Sequence, residues 1–171
     1  MTADQGSGFT CEVCGEQHSA LTTDIACKLP DAVFELDYLE QYARSKSNSD
    51  LCTLDGNRWF IRCVLPVPFT HTEGFFGWGI WVEVAQAHHD AYIAHFYEGA
   101  ALVAPFEGQL ANHLRAFNRV RGLAVRVELS DEHRPFAYLS STSRHPLALE
   151  QRRGIDAARH HALVIPHQSR R

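Results

Sequence analysis

The residues best equipped for chemistry stand together near the start of the chain, in CEVCGEQH at 11–18. Cys11 and Cys14 form a Cys-x-x-Cys pair, the spacing that lets two thiolates reach one tetrahedral ion about 2.3 Å from each sulfur. Gly15 follows where the backbone must turn tightly behind them. Two cysteines are half of a closed site. By type, the remaining ligands are sought among His18, Cys27, Cys52 and Cys63, since zinc takes histidine nitrogen and cysteine sulfur. His18 is close enough to share the knuckle. Cys52 precedes a strand and is free to be carried back by the fold, whereas Cys63 falls among the apolar residues of a strand and reads as core. In redox enzymes such a pair opens a helix that follows a strand, and that context is missing here. A structural zinc knuckle is the expectation, ahead of a redox pair or two metal-free thiols.

Other reactive types are numerous but less organised. Eleven histidines are present, yet none forms H-E-x-x-H, and His88, Tyr92 and His95 share a helical face with no carboxylate spaced to join them. Ser140, Ser141 and Ser143 lie near His145 without a nucleophile elbow. His145, Pro146, Glu150 and Gln151 make a polar cluster leading into the last helix, where capping and packing compete with a pocket-lining role. No Gly-rich phosphate loop occurs. Trp59, Trp78 and Trp81 sit on strands and alternate between faces, so a tryptophan left at the surface is a candidate anchor for a partner.

The elements that must position these residues are read from periodicity. DAVFELDYLEQYARS at 31–45 places Phe34, Tyr38 and Tyr42 on one helical face, and the polar SKSNSD after it reads as a loop. RWFIRCVLPV at 58–67 and FGWGIWVEVA at 76–85 alternate as strands of an antiparallel pair, the first expected to end at Pro66 and Pro68. AQAHHDAYIAHFYEG at 85–99 reads as a helix ending in Gly99. GLAVRVELS at 122–130 is a half-buried strand turning through DEHRP into PFAYLS, and LEQRRGIDAARHHALVI reads as one closing helix. The expected fold is α+β, an antiparallel or mixed sheet of about five strands with helices packed on it and a small N-terminal zinc knuckle. The expected layout is a flexible arm over 1–10, one domain over 11–165 and a tail over 166–171.

Composition narrows the function classes. At 171 residues, 45% hydrophobic, with 16 basic against 20 acidic residues, the chain has the make-up of an ordinary globular protein. A net charge of −4 gives no footprint for nucleic acid, and the neighbours of the cysteine pair, Glu12, Glu16 and Gln17, are not basic. No apolar run approaches the roughly 20 residues that span a bilayer. The opening MTADQGSGFT lacks the basic start and apolar core of an export signal. With five cysteines and no such signal, thiols or metal ligands are expected over disulfides, in a cytoplasmic protein.

Blocks along most of the chain, CEVCGEQH, SDLCTLDGNRWFIRCVLPVP, FGWGIWVEV, GLAVRVEL and HPLALEQRRGI, resemble in that order the bacterial domain-of-unknown-function family 2199. The resemblance carries Cys11, Cys14, Gly15, His18, Asp50, Cys52, Trp78, Gly79, Trp81, His145, Pro146 and Gln151 onto this chain and implies no established activity. It favours His18 and Cys52 as the partners of Cys11 and Cys14. The leading expectation is a zinc-stabilised, non-enzymatic module, regulatory or immunity-type, that binds a protein partner through a surface including Trp78, Trp81, His145 and Gln151. The alternative is a metal-dependent hydrolase with His145 and Glu150 as acid and base.

Overall fold

The computed structural model describes residues 9–18 and 20–168. Of the expected arm over 1–10, residues 1–8 lie outside the described residues and Phe9–Thr10 form strand β1; of the expected tail, 166–168 continue a helix and 169–171 lie outside. In chain order the elements are β1, β2 (Gln17–His18), β3 (Asp24–Ala26), α1 (Asp31–Phe34), α2 (Tyr38–Arg44), β4 (Ser45–Ser47), β5 (Leu51–Leu54), β6 (Arg58–Pro68), β7 (Phe75–Val84), α3 (Gln86–Ala94), a 3-10 turn at Ala100–Leu102, β8 (Phe106–Leu110), β9 (Ala124–Glu128), β10 (Phe136–Leu139), α4 (Pro146–Arg153) and α5 (Ala157–Gln168). This is an α+β fold.

Its centre is a barrel. Strands β6 to β10 follow one another as antiparallel neighbours, and β10 then returns alongside β6 in parallel through the pair Phe136 and Val64. The long β6–β7 ladder, from Trp59 opposite Val84 to Pro68 opposite Phe75, is the spine. Outside the closed ring, β3 runs parallel to β7, while β5 and then β4 extend the sheet from β6. The sheet has eight strands where about five are expected from sequence; β3 and β4, three residues each, are too short to show a period of two.

Period-two alternation explains the core. Ile61, Cys63, Leu65 and Val67 of β6 meet Phe76, Trp78, Ile80 and Val82 of β7 inside the barrel, and Leu147, Ala148, Leu163 and Val164 of the last two helices close it. One end of the opposite face is also dry: Phe60 and Trp81 pack with Val33, Cys52, Leu54 and Ala111 in a second cluster beneath α1. Asn112 is 0% exposed between the two layers. Its Oδ1 accepts from the Trp81 backbone N–H at 2.7 Å, and its Nδ2 donates to Leu29 O at 2.9 Å and Asp31 Oδ1 at 3.0 Å. Asn112→Ala would strand buried polar partners, so a destabilisation of about 1–3 kcal/mol is expected in denaturant unfolding, with a change below about 0.5 kcal/mol arguing against this bracket.

Several sequence expectations change at single residues. The helix expected over 31–45 is split, because Asp37 caps a new start by accepting from Glu40 N–H at 2.9 Å. Phe34, Tyr38 and Tyr42 consequently stand 62%, 80% and 84% exposed. β6 does not end at Pro66. The Pro66 carbonyl is taken by Gln151 and the Gly77 N–H opposite it donates to Thr23 O, so this pair makes no ladder bonds and proline removes none. α3 stops at Ala94, short of Gly99, with His95 as its C-cap. The closing helix is two helices, divided at Gly154, whose φ of +80° favours glycine and where a Cβ would lie 2.7 Å from Pro68 O. Ile155 joins the sheet there as a parallel bridge to Phe69.

Candidate metal centre and an open groove on the barrel

The knuckle is a minimal hairpin. β1 and β2 pair antiparallel, Phe9 opposite His18 and Thr10 opposite Gln17, with the Cys-x-x-Cys turn between them. Cys11 N–H donates to Glu16 O and Gly15 N–H to Cys11 O, each at 2.8 Å, and Gly15 takes φ +74° to complete the turn. Cys11 is buried and Cys14 exposed. The Cys14 backbone N–H, then that of Val13, aims at the Cys11 sulfur and holds its thiol below the ordinary value. The Glu16 N–H pulls Cys14 the same way, but partial desolvation and the neighbouring Cys11 outweigh it and raise the Cys14 thiol. Two adjacent thiolates repel, and a divalent cation between them relieves that repulsion.

His18 and a helix complete the group. Cys14 Sγ lies 3.3 Å from His18 Nε2, and the His18 ring stands edge-on to that of His161 with centroids 5.6 Å apart. One donor atom from each of Cys11, Cys14, His18 and His161 falls within 4.8 Å of all the others. Small side-chain rotations bring that spread within reach of one ion, whose bonds to nitrogen and sulfur are about 2.0–2.3 Å. The fit is supported by His161 Nε2, which is buried with no hydrogen-bond partner among the described residues. The neighbouring His160 serves the packing instead, with its Nε2 bonded to Thr22 O at 2.8 Å and its ring against Phe69 and Phe76. Successive helical residues point about 100° apart, so one histidine seats α5 on the barrel while the other faces the knuckle.

Of the ligands expected from sequence, Cys11, Cys14 and His18 are brought together and Cys52 is not. Cys52 is buried on β5 in the second cluster, its sulfur 3.9 Å from Thr53 O, and burial pushes its thiol up to about 11. Burial raises Cys63 as well, and raises Cys27 to about 11 with Asp31 adding to it. His161 takes the fourth place; the signal that could have found it was the His160–His161 pair on the closing helix. In metal-stripped folded protein, iodoacetamide is expected to label Cys11 and Cys14, released as the two-residue strands of the hairpin open, well before Cys52 and Cys63, which react only after unfolding. Equal labelling of Cys52 by mass spectrometry would refute its placement.

The surface expected around Trp78 and Trp81 is not a surface, since the two are 2% and 0% exposed. At these two positions both faces of β7 are covered, Trp78 inside the barrel and Trp81 in the second cluster, so alternation sends neither indole to solvent. His145 caps α4: Nδ1 accepts from Leu147 N–H at 3.1 Å, so Nε2 is the donor to Asn118 O at 2.7 Å. Both ring nitrogens are thereby occupied. Glu150 is tied to Arg159 at 2.7 Å. Gln151 is a bracket across the parallel seam, accepting from Leu139 N–H and donating to Ala137 O on β10 and to Pro66 O on β6.

The open surface lies on the outer side of the barrel. Two adjoining cavities of about 780 and 420 Å³ share Phe75 and Phe136 as their common wall. The larger is bordered by Pro66, Tyr138, Arg126 and Arg152; the smaller has Ala26, Val64, Gly77 and Gly79 around it with Arg62 and Arg134. His133 stacks on Phe136 at 4.1 Å, and Phe75 meets Phe136 edge-on at 5.6 Å.

The fold and its Cys2His2 cluster define a class: a five-stranded barrel with helices, carrying a candidate metal clasp between its N-terminal hairpin and its last helix. The chain belongs to a family described as an uncharacterized protein conserved in bacteria (DUF2199), whose model matches residues 10–155. His161 lies beyond the matched span. Neither the curated proteins nor the solved structures contain a match. No described helix is long and apolar enough to cross a membrane.

Proposed function

We propose that the protein is a non-enzymatic, zinc-clasped module that binds a protein partner through the groove around Phe75 and Phe136. The observation that carries the zinc assignment is the set of four donors, two sulfurs and two imidazoles, within 4.8 Å. Such a set fills a tetrahedral sphere and leaves no position for a reacting water, which is the mark of a structural site. Bound there, the ion supplies a crosslink and no catalytic step. The chain's own residues do the rest: the backbone amides of Val13 and Cys14 hold the Cys11 sulfur, and His160 fixes α5 so that His161 faces the knuckle.

Support for partner binding comes from the groove's aromatic lining and from Phe75, which stands 42% exposed on a strand. The exposed aromatic face of α1 and α2 is a second apolar surface of the same kind. The hydrolase reading, by contrast, requires a free imidazole at His145, and that ring is engaged at both nitrogens. Metal analysis of freshly reduced protein tests the zinc: about one ion per chain is expected, with cobalt substitution giving the intense visible bands of a tetrahedral thiolate site. Metal-free protein that folds and melts identically would overturn it.

A further inference from the structure

We infer that the groove recognises an acidic segment of a partner polypeptide, with carboxylates held by Arg62 and Arg152 on either side of an apolar side chain seated against the aromatic wall that Phe75 and Phe136 form together. The inference rests on reading the chain as a protein-binding module and names what that module selects. Four guanidiniums line the two cavities against two carboxylates, Asp24 and Glu107, on a chain whose net charge is −4. The four are not equivalent. Arg134 is paired with Asp50 at 2.8 Å and Arg126 with Glu128 at 2.7 Å. Among the described residues Arg152 donates only to carbonyls, Ser140 O and Ser143 O, and no carboxylate there answers its charge. Arg62 is half-buried on β6 and, among the described residues, makes no side-chain hydrogen bond or ion pair. Asp50, which feels its charge, is already taken by Arg134. A partly buried guanidinium without an anion of its own is costly, and a carboxylate that meets its fork with two parallel bonds removes that cost.

The shape indicates what lies between the charges. Arg62 borders only the smaller cavity and Arg152 only the larger, with Phe75 and Phe136 shared. The smaller cavity is floored by Gly77, Gly79, Ala26 and Val64, whose small side chains leave depth for an apolar group beside the aromatic wall. An acidic peptide with one aromatic residue presents those three features in that order. A nucleic acid presents stacked bases too, but its dense charge would meet a chain with more acidic than basic residues and only two uncommitted guanidiniums in the groove. A peptide brings few charges and is repelled less.

The test is fluorescence anisotropy of the metal-loaded full chain with four labelled probes: the peptide Asp-Glu-Phe-Asp-Glu, its Ser-Asn-Phe-Ser-Asn and Lys-Arg-Phe-Lys-Arg counterparts, and a short oligothymidylate. The acidic peptide is expected to bind, weakening as salt rises. Arg62→Ala, Arg152→Ala and Phe75→Ala are each expected to reduce its affinity about tenfold, and Arg62→Lys by less. Circular dichroism and melting of each variant separate lost contact from lost fold, and Arg62→Ala leaves no carboxylate unpaired. Equal binding of the neutral or basic peptide overturns acidic recognition while leaving a protein-binding module. Binding of the oligothymidylate alone overturns both. Failure of every probe, or full affinity in Arg62→Ala, overturns the inference.

Discussion

Replacing Cys11 with serine is expected to strip the chain of its metal, taking zinc from about one ion per chain to near zero and lowering the melting temperature by roughly 5–10 °C. The reason is geometric. Cys11 is the buried member of the pair, it receives the knuckle's backbone amides, and serine offers no thiolate. Without the ion, the two-residue strands β1 and β2 have one ladder of two pairs to hold them, too little to persist alone in water. Hydrogen exchange should therefore show the amides of 10–18 losing protection together with the contact to α5. Two companion variants decide between ligand sets. His161→Ala should lose the metal as Cys11→Ser does, and Cys52→Ser should keep it. A Cys52→Ser protein that loses zinc while His161→Ala retains it would sink the Cys2His2 assignment.

Trp81→Ala is expected to be the most damaging single change in the barrel, costing about 3–5 kcal/mol and roughly 6–20 °C in melting temperature. Trp81 fills the junction of the second cluster, where Val33, Cys52, Leu54, Phe60 and Ala111 surround it. Its indole Nε1 donates to Cys27 O at 3.2 Å and its backbone N–H to Asn112. Truncation removes that volume and leaves the Cys27 carbonyl without its donor, in a cluster that β5 and α1 hold too firmly to collapse. Phe75→Ala, on the neighbouring exposed ridge, should cost far less in stability and act on peptide binding instead. If Trp81→Ala unfolds at the wild-type denaturant midpoint, the residue is not the core element described.

These two residues also mark how far the sequence could be read. Strict alternation in RWFIRCVLPV and FGWGIWVEV was enough to place the β6–β7 ladder and to separate its two faces. Alternation does not say which face meets water. For Trp78 and Trp81 neither does, because α1 and β5 cover the side that a simple two-layer reading leaves open. The candidate metal cluster was half legible for a similar reason: Cys11, Cys14 and His18 are joined by local turns, and local spacing constrains them. His161 arrives through the tertiary path of α5 over the barrel, which no local pattern encodes. Gly154 was visible as a residue, but its role in dividing α4 from α5 depends on the Pro68 carbonyl pressing against it.

An antiparallel meander that closes on an odd number of strands must bring its first and last members together pointing the same way, and β6 and β10 do so through one Cα pair, Val64 with Phe136. No hairpin can nucleate such a seam, since its halves stand at positions 64 and 136 and everything between must be laid down first. Barrel closure is thus expected to come late in folding, waiting on residues far apart in the chain. The single side chain of Gln151, reaching from α4 to carbonyls on both sides of the join, ties the docking of that helix to the sealing of the barrel.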